Sequence, residues 1–278
     1  MVFQSYAIWP HMTVKENVDF PLRHGKKKHA NKQEREQAVT NALEKVHLNK
    51  FKDRPAPLLS GGQQQRVSLA RAVAQSPTLI LLDEPLSNLD ANLREVMQKE
   101  IRSIVTDEGI TAVYVTHDQK EALSMSDIII VMSEGGIEQI GTPYEIYYQP
   151  KTQFVAEFMG APNIIEATVI ESAEPYFTVS SIMGDLHVKH REPVSVGDKL
   201  NLVIRKEDFT FDGNDIVNGK NVFKLFKCRE VFLGEYTELL CGVTVAEQEI
   251  SILVNSRQSL AESFEAFYCP TRIHYIKV

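Results

Sequence analysis

Apolar residues in the first part of the chain alternate between helical spacing and short unbroken runs. Apolar positions at helical spacing predict amphipathic helices, and unbroken apolar runs predict strands that are covered on both faces. The predicted order is helix 33–46, helix 60–76, strand 79–82, helix 91–106, strand 112–116 and strand 128–132. Helices that alternate with buried strands indicate an α/β fold with a parallel sheet built from βαβ units.

Beyond residue 163 the pattern changes to short segments in which apolar and polar positions alternate. The predicted strands of this part are 165–170, 176–179, 199–204, 238–245 and 249–254. Glycine-containing turns separate them at 184–185, 197–198, 212–214 and 218–219. This spacing is typical of a small all-β barrel or sandwich. We therefore predict two domains, an α/β domain at residues 1–163 and a β domain at residues 164–278.

The composition is that of an ordinary globular protein. Of the 278 residues, 43% are hydrophobic, and 30 Lys and Arg against 37 Asp and Glu give a net charge of −7. These values exclude a wholly disordered chain. Residues 164–278 carry 12 Lys and Arg against 17 Asp and Glu, whereas a barrel that grips nucleic acid needs a basic stripe. The three cysteines are too few and too scattered to predict a disulfide framework or a zinc site.

Two acidic residues, Asp83 and Glu84, follow directly after the predicted strand 79–82. They should lie at the carboxyl edge of the parallel sheet, where ligands bind in such folds. One carboxylate can hold Mg²⁺ through water, and the other can orient or deprotonate an attacking water molecule. Taken alone, the motif is equally compatible with a strand that ends in a polar turn.

Two further motifs lie near these acids. The sequence Leu-Ser-Gly-Gly-Gln at 59–63 opens a predicted helix, and its bare backbone N–H groups suit an anion at the helix N-terminus. Ser60 is equally compatible with a plain N-cap. His117 ends the next predicted strand, on the same sheet edge as Asp83 and Glu84. The occurrence of these motifs together, in this order, favours a nucleotide site.

Together these motifs resemble those of the ATP-binding subunits of ABC transporters. Residues 59–66 match the family signature, 79–84 match Walker B and 87–90 match the D-loop, while Gln4 matches the Q-loop glutamine and His117 the switch histidine. The resemblance covers the whole chain. It implies an α/β fold with an incomplete P-loop NTPase-type parallel sheet and a helical subdomain, followed by a small all-β, OB-like (TOBE) regulatory domain.

The resemblance also implies roles for individual residues, because each ATP in this family lies between two subunits. Glu84, His117 and Gln4 would act in catalysis. Asp83 and Gln4 would hold Mg²⁺ through water. The residues implied to contact ATP are Ser60, Gly61, Gly62, Gln63 and Asp90.

Within the family, the importer branch is the most similar. Residues 6–14, 141–147 and 154–160 resemble that branch, and 204–207 resemble its Ile-Arg-Pro-Glu motif with Lys206 in place of proline. Branch members import ferric iron, polyamines, sulfate, phosphonates or sugars. Since residues 87–94 are most similar to the ferric-iron group, iron transport is the predicted activity.

The implied partners are the membrane permease subunits, a second ATP-binding subunit (a homodimer or a heterodimer), and indirectly a periplasmic or surface solute-binding protein. The implied location is cytoplasmic, peripheral on the inner face of the membrane. The apolar runs of the chain are too short to cross a bilayer.

One family motif, the Gly-rich Walker A loop that ends in Gly-Lys-Ser or Gly-Lys-Thr, does not occur in the 278 residues. The Gly-Lys pairs at 25–26 and 219–220 have no hydroxyl residue after them. Met1 is therefore predicted to be an internal methionine of a longer ancestor, and the isolated chain is predicted to hydrolyse no ATP. The resemblance implies that the strand leading to Walker A lies next to strand 79–82 in the sheet. Without that neighbour, uncovering aliphatic residues of strand 79–82 would cost about 1.5–3 kcal/mol each. We therefore expect the N-terminal half to be marginally stable.

The motifs are compatible with three functions. The leading hypothesis is an ATPase subunit that couples ATP hydrolysis to solute uptake. The alternative is a non-catalytic partner subunit that donates its signature motif to an intact ATPase. A third, an ABC protein that acts on DNA or the ribosome, is disfavoured by the acidic C-terminal half and the importer-type segments, so no nucleic-acid partner is expected.

Overall fold

A computed structural model describes residues 1–24, 31–211, 221–245 and 248–278. These residues form two compact units, Met1–Ser126 (the N-terminal unit) and Asp127–Val278 (the C-terminal unit). The domain boundary predicted between residues 163 and 164 lies within the C-terminal unit and stays a prediction. The two Gly-Lys pairs and the turns predicted at 212–214 and 218–219 lie outside the described residues.

The described residues of the N-terminal unit alternate helices with two parallel strands. Its elements are α1 Val14–His24, α2 Lys32–Lys45, α3 Gly61–Val73, β1 Leu79–Asp83, α4 Ala91–Asp107, β2 Thr111–Val115 and α5 Gln119–Met125. The helices and strands predicted for this region are confirmed within a few residues of their ends. Helix α1 was missed because Pro21 interrupts its pattern, although its buried residues Val14, Val18 and Leu22 recur at helical spacing.

Strand β1 brings together segments that lie far apart in sequence. It pairs in parallel with β2, from Leu79 opposite Thr111 to Asp83 opposite Val115. At its other edge Val2 forms a parallel bridge, because the Val2 N–H donates to the carbonyl of Leu81 at 2.8 Å. The carboxyl end of β1 therefore lies between the start of the chain and the end of β2.

The two faces of this strand pair differ in cover, since successive strand residues point to opposite faces. Ile80 and Leu82 are buried in the core to which α1, α2, α3 and α4 contribute. Leu79 and Leu81 are 50% and 41% exposed. The expectation that this strand is covered on both faces is therefore wrong for the described structure.

The described residues of the C-terminal unit begin with a hairpin and two short helices and continue in strands, apart from a short 3₁₀ helix at Lys206–Asp208. Its elements are β3 Ile129–Ser133, β4 Gly136–Gly141, α6 Pro143–Tyr148, α7 Gln153–Phe158, β5 Asn163–Ala173, β6 Tyr176–Ser181, β7 Gly184–Lys189, β8 Lys199–Ile204, β9 Asn221–Phe232, β10 Thr237–Val245, β11 Gln248–Ser256, β12 Ser263–Tyr268 and β13 His274–Lys277. The segment predicted at 128–132 is a strand, but it pairs antiparallel with β4 and not within the parallel sheet.

The long strands of the C-terminal unit form two antiparallel sheets. One has the order β13-β8-β5-β6-β7 and the other the order β11-β10-β9-β12. Apolar side chains from both sheets share one core, with Phe177 and Leu202 from the first sheet and Leu225 and Val254 from the second. The prediction of an all-β region is confirmed, and of the two predicted architectures the paired sheets match the sandwich.

Arg205, which follows β8, connects that strand to both short helices. Its guanidinium donates hydrogen bonds to the carbonyls of Tyr147 at 2.6 Å, Met159 at 2.9 Å and Ala156 at 3.3 Å. These carbonyls lie at the C-terminal ends of α6 and α7, where backbone acceptors have no partner within the helix. The guanidinium also lies 4.1 Å from the ring of Tyr147. The arginine of the 204–207 motif therefore holds α6 and α7 against β8.

His274 on β13 makes the stability of the C-terminal unit depend on pH. Burial lowers the pKa of His274 from 6.5 to about 4, and its Nε2 atom lies 2.8 Å from the carbonyl of Pro150, to which it donates. Between pH 6.5 and pH 4 the unfolded histidine binds a proton that the folded one does not, so the unfolding free energy should fall by about 3 kcal/mol as the pH is lowered. Urea unfolding at several pH values should show this fall in the wild type and a weaker one in His274→Gln. Equal pH dependence of the two proteins would contradict this role.

Candidate functional site

Three residues predicted to act in catalysis meet at the carboxyl end of β1. The Nε2 atom of Gln4 donates to Oε2 of Glu84 at 3.3 Å. The Nδ1 atom of His117 lies 3.1 Å from Oε1 of the same carboxylate. Asn88, in the predicted D-loop, donates to the carbonyl of Gln4 at 3.0 Å. The sequence placed Asn88 in a motif but gave it no role, and the structure shows that it orients the Gln4 segment.

The backbone of Glu84 is held in an uncommon conformation. Its φ is +41°, in the left-handed region that residues with a side chain rarely adopt. The Glu84 N–H donates to the carbonyl of Val115 at 3.0 Å, and its own carbonyl accepts from the hydroxyl of Ser87 at 3.0 Å. The turn after β1 thus presents the Glu84 side chain, which remains 31% exposed, next to the 74% exposed side chain of His117.

Asp83 ends β1 with an exposed side chain. Among the described residues, no group of three or more His, Cys, Asp or Glu side chains is placed to hold a metal ion by itself. Mg²⁺ prefers oxygen ligands and keeps several of its water molecules, so one carboxylate and one amide acting through water fit this ion. The assignment of Asp83 and Gln4 to Mg²⁺ stays a prediction.

The signature residues begin helix α3 in a capping box. The Gln63 N–H donates to the hydroxyl of Ser60 at 3.4 Å, and the Ser60 N–H donates to Oε1 of Gln63 at 3.1 Å. Ser60 and Gly61 are exposed. The N-cap interpretation is therefore correct, and the exposed backbone around Gly61 also remains open to an anion.

Gly62 has a different environment from Gly61, because Gly62 is buried whereas Gly61 is exposed. A Cβ atom at Gly62 would lie 2.6 Å from Cδ2 of Leu93, whereas one at Gly61 would meet nothing within 4 Å. Leu93 lies in the first turn of α4, which Asp90 caps by accepting from the Leu93 N–H at 2.9 Å. Gly62 therefore lets the start of α3 pack closely against the start of α4.

Gly62→Ala should have an unfolding free energy about 1 kcal/mol lower than Gly61→Ala, because its methyl group must move the tip of the Leu93 side chain, which offsets the helix propensity gained. Gly61→Ala is the matched control and should leave stability unchanged or slightly raised, since alanine favours helices. Urea unfolding can be followed by the fluorescence of Trp9, which is the only tryptophan of the chain and lies in the same unit. Equal losses for both variants would contradict the packing role of Gly62.

A polar network connects the predicted D-loop to Asp118, the residue that follows His117. Arg94 donates to the carbonyl of Leu89 at 3.1 Å and lies 3.5 Å from the Asp118 carboxylate. Its Nε atom lies 3.8 Å from the buried Glu121. The sequence motifs assigned no role to these three side chains, although Asp118, the acidic residue next to His117, was a signal that could have revealed them. The site residues described in this subsection therefore lie in two groups, one around Glu84 and one at the starts of α3 and α4.

Comparison with known proteins supports the motif analysis. A family profile described as ABC transporter matches residues 1–87. The chain is 50% identical over 253 residues to the spermidine/putrescine import ATP-binding protein PotA of Photobacterium profundum, covering 89% of this chain and 67% of that protein. It is 51% identical over 208 residues to PotA of Salmonella typhi, covering 74% of this chain and 54% of that protein.

The chain spans about two thirds of the Photobacterium protein and about half of the Salmonella protein. A solved structure, the dimeric post-hydrolysis state of the ATP-binding cassette MJ0796 bound to ADP and Pi, is 34% identical with a TM-score of 0.45, covering 51% of this chain and 61% of that one. The names of the relatives give no support to the ferric-iron expectation. With half of the aligned residues identical along most of its length, the chain belongs to the ATP-binding proteins of ABC transporters.

Proposed function

We propose that this chain is the ATP-binding subunit of an ABC importer for polyamines and that it couples ATP hydrolysis to uptake. The observation that carries this proposal is the meeting of Gln4 and His117 on the carboxylate of Glu84. The substrate class comes from relatives named for spermidine and putrescine import. Polyamines therefore replace ferric iron as the proposed solute.

The arrangement at β1 suits water-mediated phosphoryl chemistry. Bound Mg²⁺-ATP supplies the γ-phosphoryl group that water attacks. In this proposal the Glu84 carboxylate orients the water and accepts its proton, and Gln4 and His117 hold that carboxylate in place. Asp83 would hold Mg²⁺ through water, and the exposed N-terminus of α3 at Ser60 would contact phosphate.

The proposed partners are the permease subunits of the importer, a second ATP-binding subunit and, indirectly, a solute-binding protein. The proposed location is the inner face of the membrane. No helix in the described part of the chain is long and apolar enough to span a membrane. We also propose that residues 164–278 form a TOBE-type regulatory domain; its two antiparallel sheets support the all-β part of this proposal.

A non-catalytic partner subunit remains the second candidate function. It is favoured by one observation, namely that the signature motif begins an intact, capped helix whose Ser60 and Gly61 are exposed and could be donated to another subunit. Co-purification with a separate ATP-binding subunit, with one nucleotide trapped per dimer, would select this candidate. Two nucleotides trapped per homodimer would exclude it.

Uptake of radiolabelled spermidine tests the proposal directly. Cells that make this chain should lose most high-affinity spermidine uptake when its gene is deleted and regain it when the gene is restored. Uptake of ferric iron, measured in the same cells, should not change. Unchanged spermidine uptake after deletion would contradict the proposed function.

A further inference from the structure

Arg71 on helix α3 is a buried cation held by backbone groups and an aromatic ring. Only 8% of the residue is exposed. Its guanidinium donates to the carbonyl of Ala7 at 2.6 Å, to that of Tyr6 at 2.9 Å and to the hydroxyl of Ser68 at 3.3 Å. It also lies 4.7 Å from the ring of Trp9, within cation–π range. Arg71 thus connects the helix that begins at the signature motif to the segment that follows Gln4.

That segment, residues 4–9, has a backbone that needs external support. Tyr6 and Ala7 have φ values of +60° and +45°, a conformation that side chains disfavour and that persists only where the surroundings hold it. The two carbonyls that Arg71 binds belong to these two residues. A planar guanidinium can serve two acceptors at fixed geometry, which a lysine ammonium cannot reproduce.

The far end of the segment is anchored separately. The Trp9 N–H donates to Oδ1 of the fully buried Asn17 at 2.9 Å, and the Asn17 amide donates back to the Trp9 carbonyl at 3.2 Å. Asn17 lies on α1 and Arg71 on α3. Loss of Arg71 should therefore free the left-handed residues while Trp9 stays tethered to α1.

We infer that Arg71 is a positioning residue that fixes segment 4–9 against the signature helix. Gln4 bonds Glu84 at one end of the segment, so the contacts of Arg71 link the Glu84 site to α3. The use of this link in transport rests on the proposed function, but the link itself does not.

Hydrogen exchange of the 278-residue chain tests this inference without nucleotide or transport. In Arg71→Ala, the amides of residues 4–9 other than that of Trp9 should exchange about tenfold faster, while the amide of Trp9, held by Asn17, and those within α3 keep their protection. The emission of Trp9, the only tryptophan, should shift because the cation above its ring is lost. Arg71→Lys should give an intermediate exchange rate, since lysine keeps the positive charge but cannot make both hydrogen bonds to the carbonyls.

The matched control is Arg66→Ala on the same helix, where Arg66 pairs with Glu100 at 2.6 Å; it should leave exchange at 4–9 and the Trp9 emission unchanged. Unchanged exchange at 4–9 in Arg71→Ala would overturn the inference. An even rise in the exchange rate over the whole N-terminal unit, in Arg71→Lys as well as in Arg71→Ala, would also overturn the inference. In that case Arg71 would stabilise the unit in general. Failure of the spermidine uptake test would contradict the proposed function and leave the exchange result intact.

Discussion

Replacing Glu84 with glutamine should lower spermidine uptake at least about a hundredfold in cells that make this chain, in line with the loss expected when a general base is removed. The amide keeps the shape of the side chain and can still bond Gln4, so the fold should survive. What it loses is the carboxylate that would take the proton of the attacking water. The initial rate of radiolabelled spermidine uptake at saturating substrate measures the effect.

Glu95→Gln is the matched control for this experiment. Glu95 is an exposed carboxylate on α4, paired with Lys99 at 2.7 Å, and its replacement should leave the uptake rate unchanged. Immunoblots should show equal amounts of both variants. An uptake rate for Glu84→Gln within about twofold of the wild type would show that Glu84 is not the base.

Replacing Arg205 with alanine should lower the unfolding free energy of the C-terminal unit by about 3–5 kcal/mol, because carbonyls at the ends of two helices lose their donor in a buried position. The total unfolding free energy of a domain is only about 5–15 kcal/mol, so this loss would be a large part of it. Urea unfolding followed by far-UV circular dichroism measures the loss. Trp9 fluorescence reports the N-terminal unit separately and should show an unchanged transition.

Two further variants test whether the loss of stability comes from the hydrogen bonds of Arg205. Arg205→Lys keeps the charge but cannot reach three carbonyls at once, so we expect about half of the loss. Arg229→Ala removes an exposed arginine on β9 and should change the unfolding free energy by less than about 0.5 kcal/mol. Similar losses for Arg205→Ala and Arg229→Ala would contradict the proposed support of α6 and α7.

The sequence predicted most of the N-terminal unit because its elements show their own periodicity. Helix α4 shows a buried stripe at Met97, Ile101 and Ile104, and β1 shows an unbroken apolar run. In the C-terminal unit, the strands β4, β7, β9, β12 and β13 and the helices α6 and α7 were missed. Strand β9 has buried Phe223 and Leu225 at alternating positions, and this period of two was a signal for a strand in the sequence. Strand β13 is short, and its position depends on pairing with β8, which lies far away in sequence.

By itself the sequence identified the candidate groups of the site and the family: the acids at the end of β1, the signature at the start of α3 and the histidine after β2. Only the tertiary structure decided which groups meet. Gln4 and Glu84 lie 80 residues apart, and Arg71 lies 64 residues from Ala7. Such contacts depend on strand register and helix packing, which join distant segments through interactions that no local pattern of apolar and polar residues encodes.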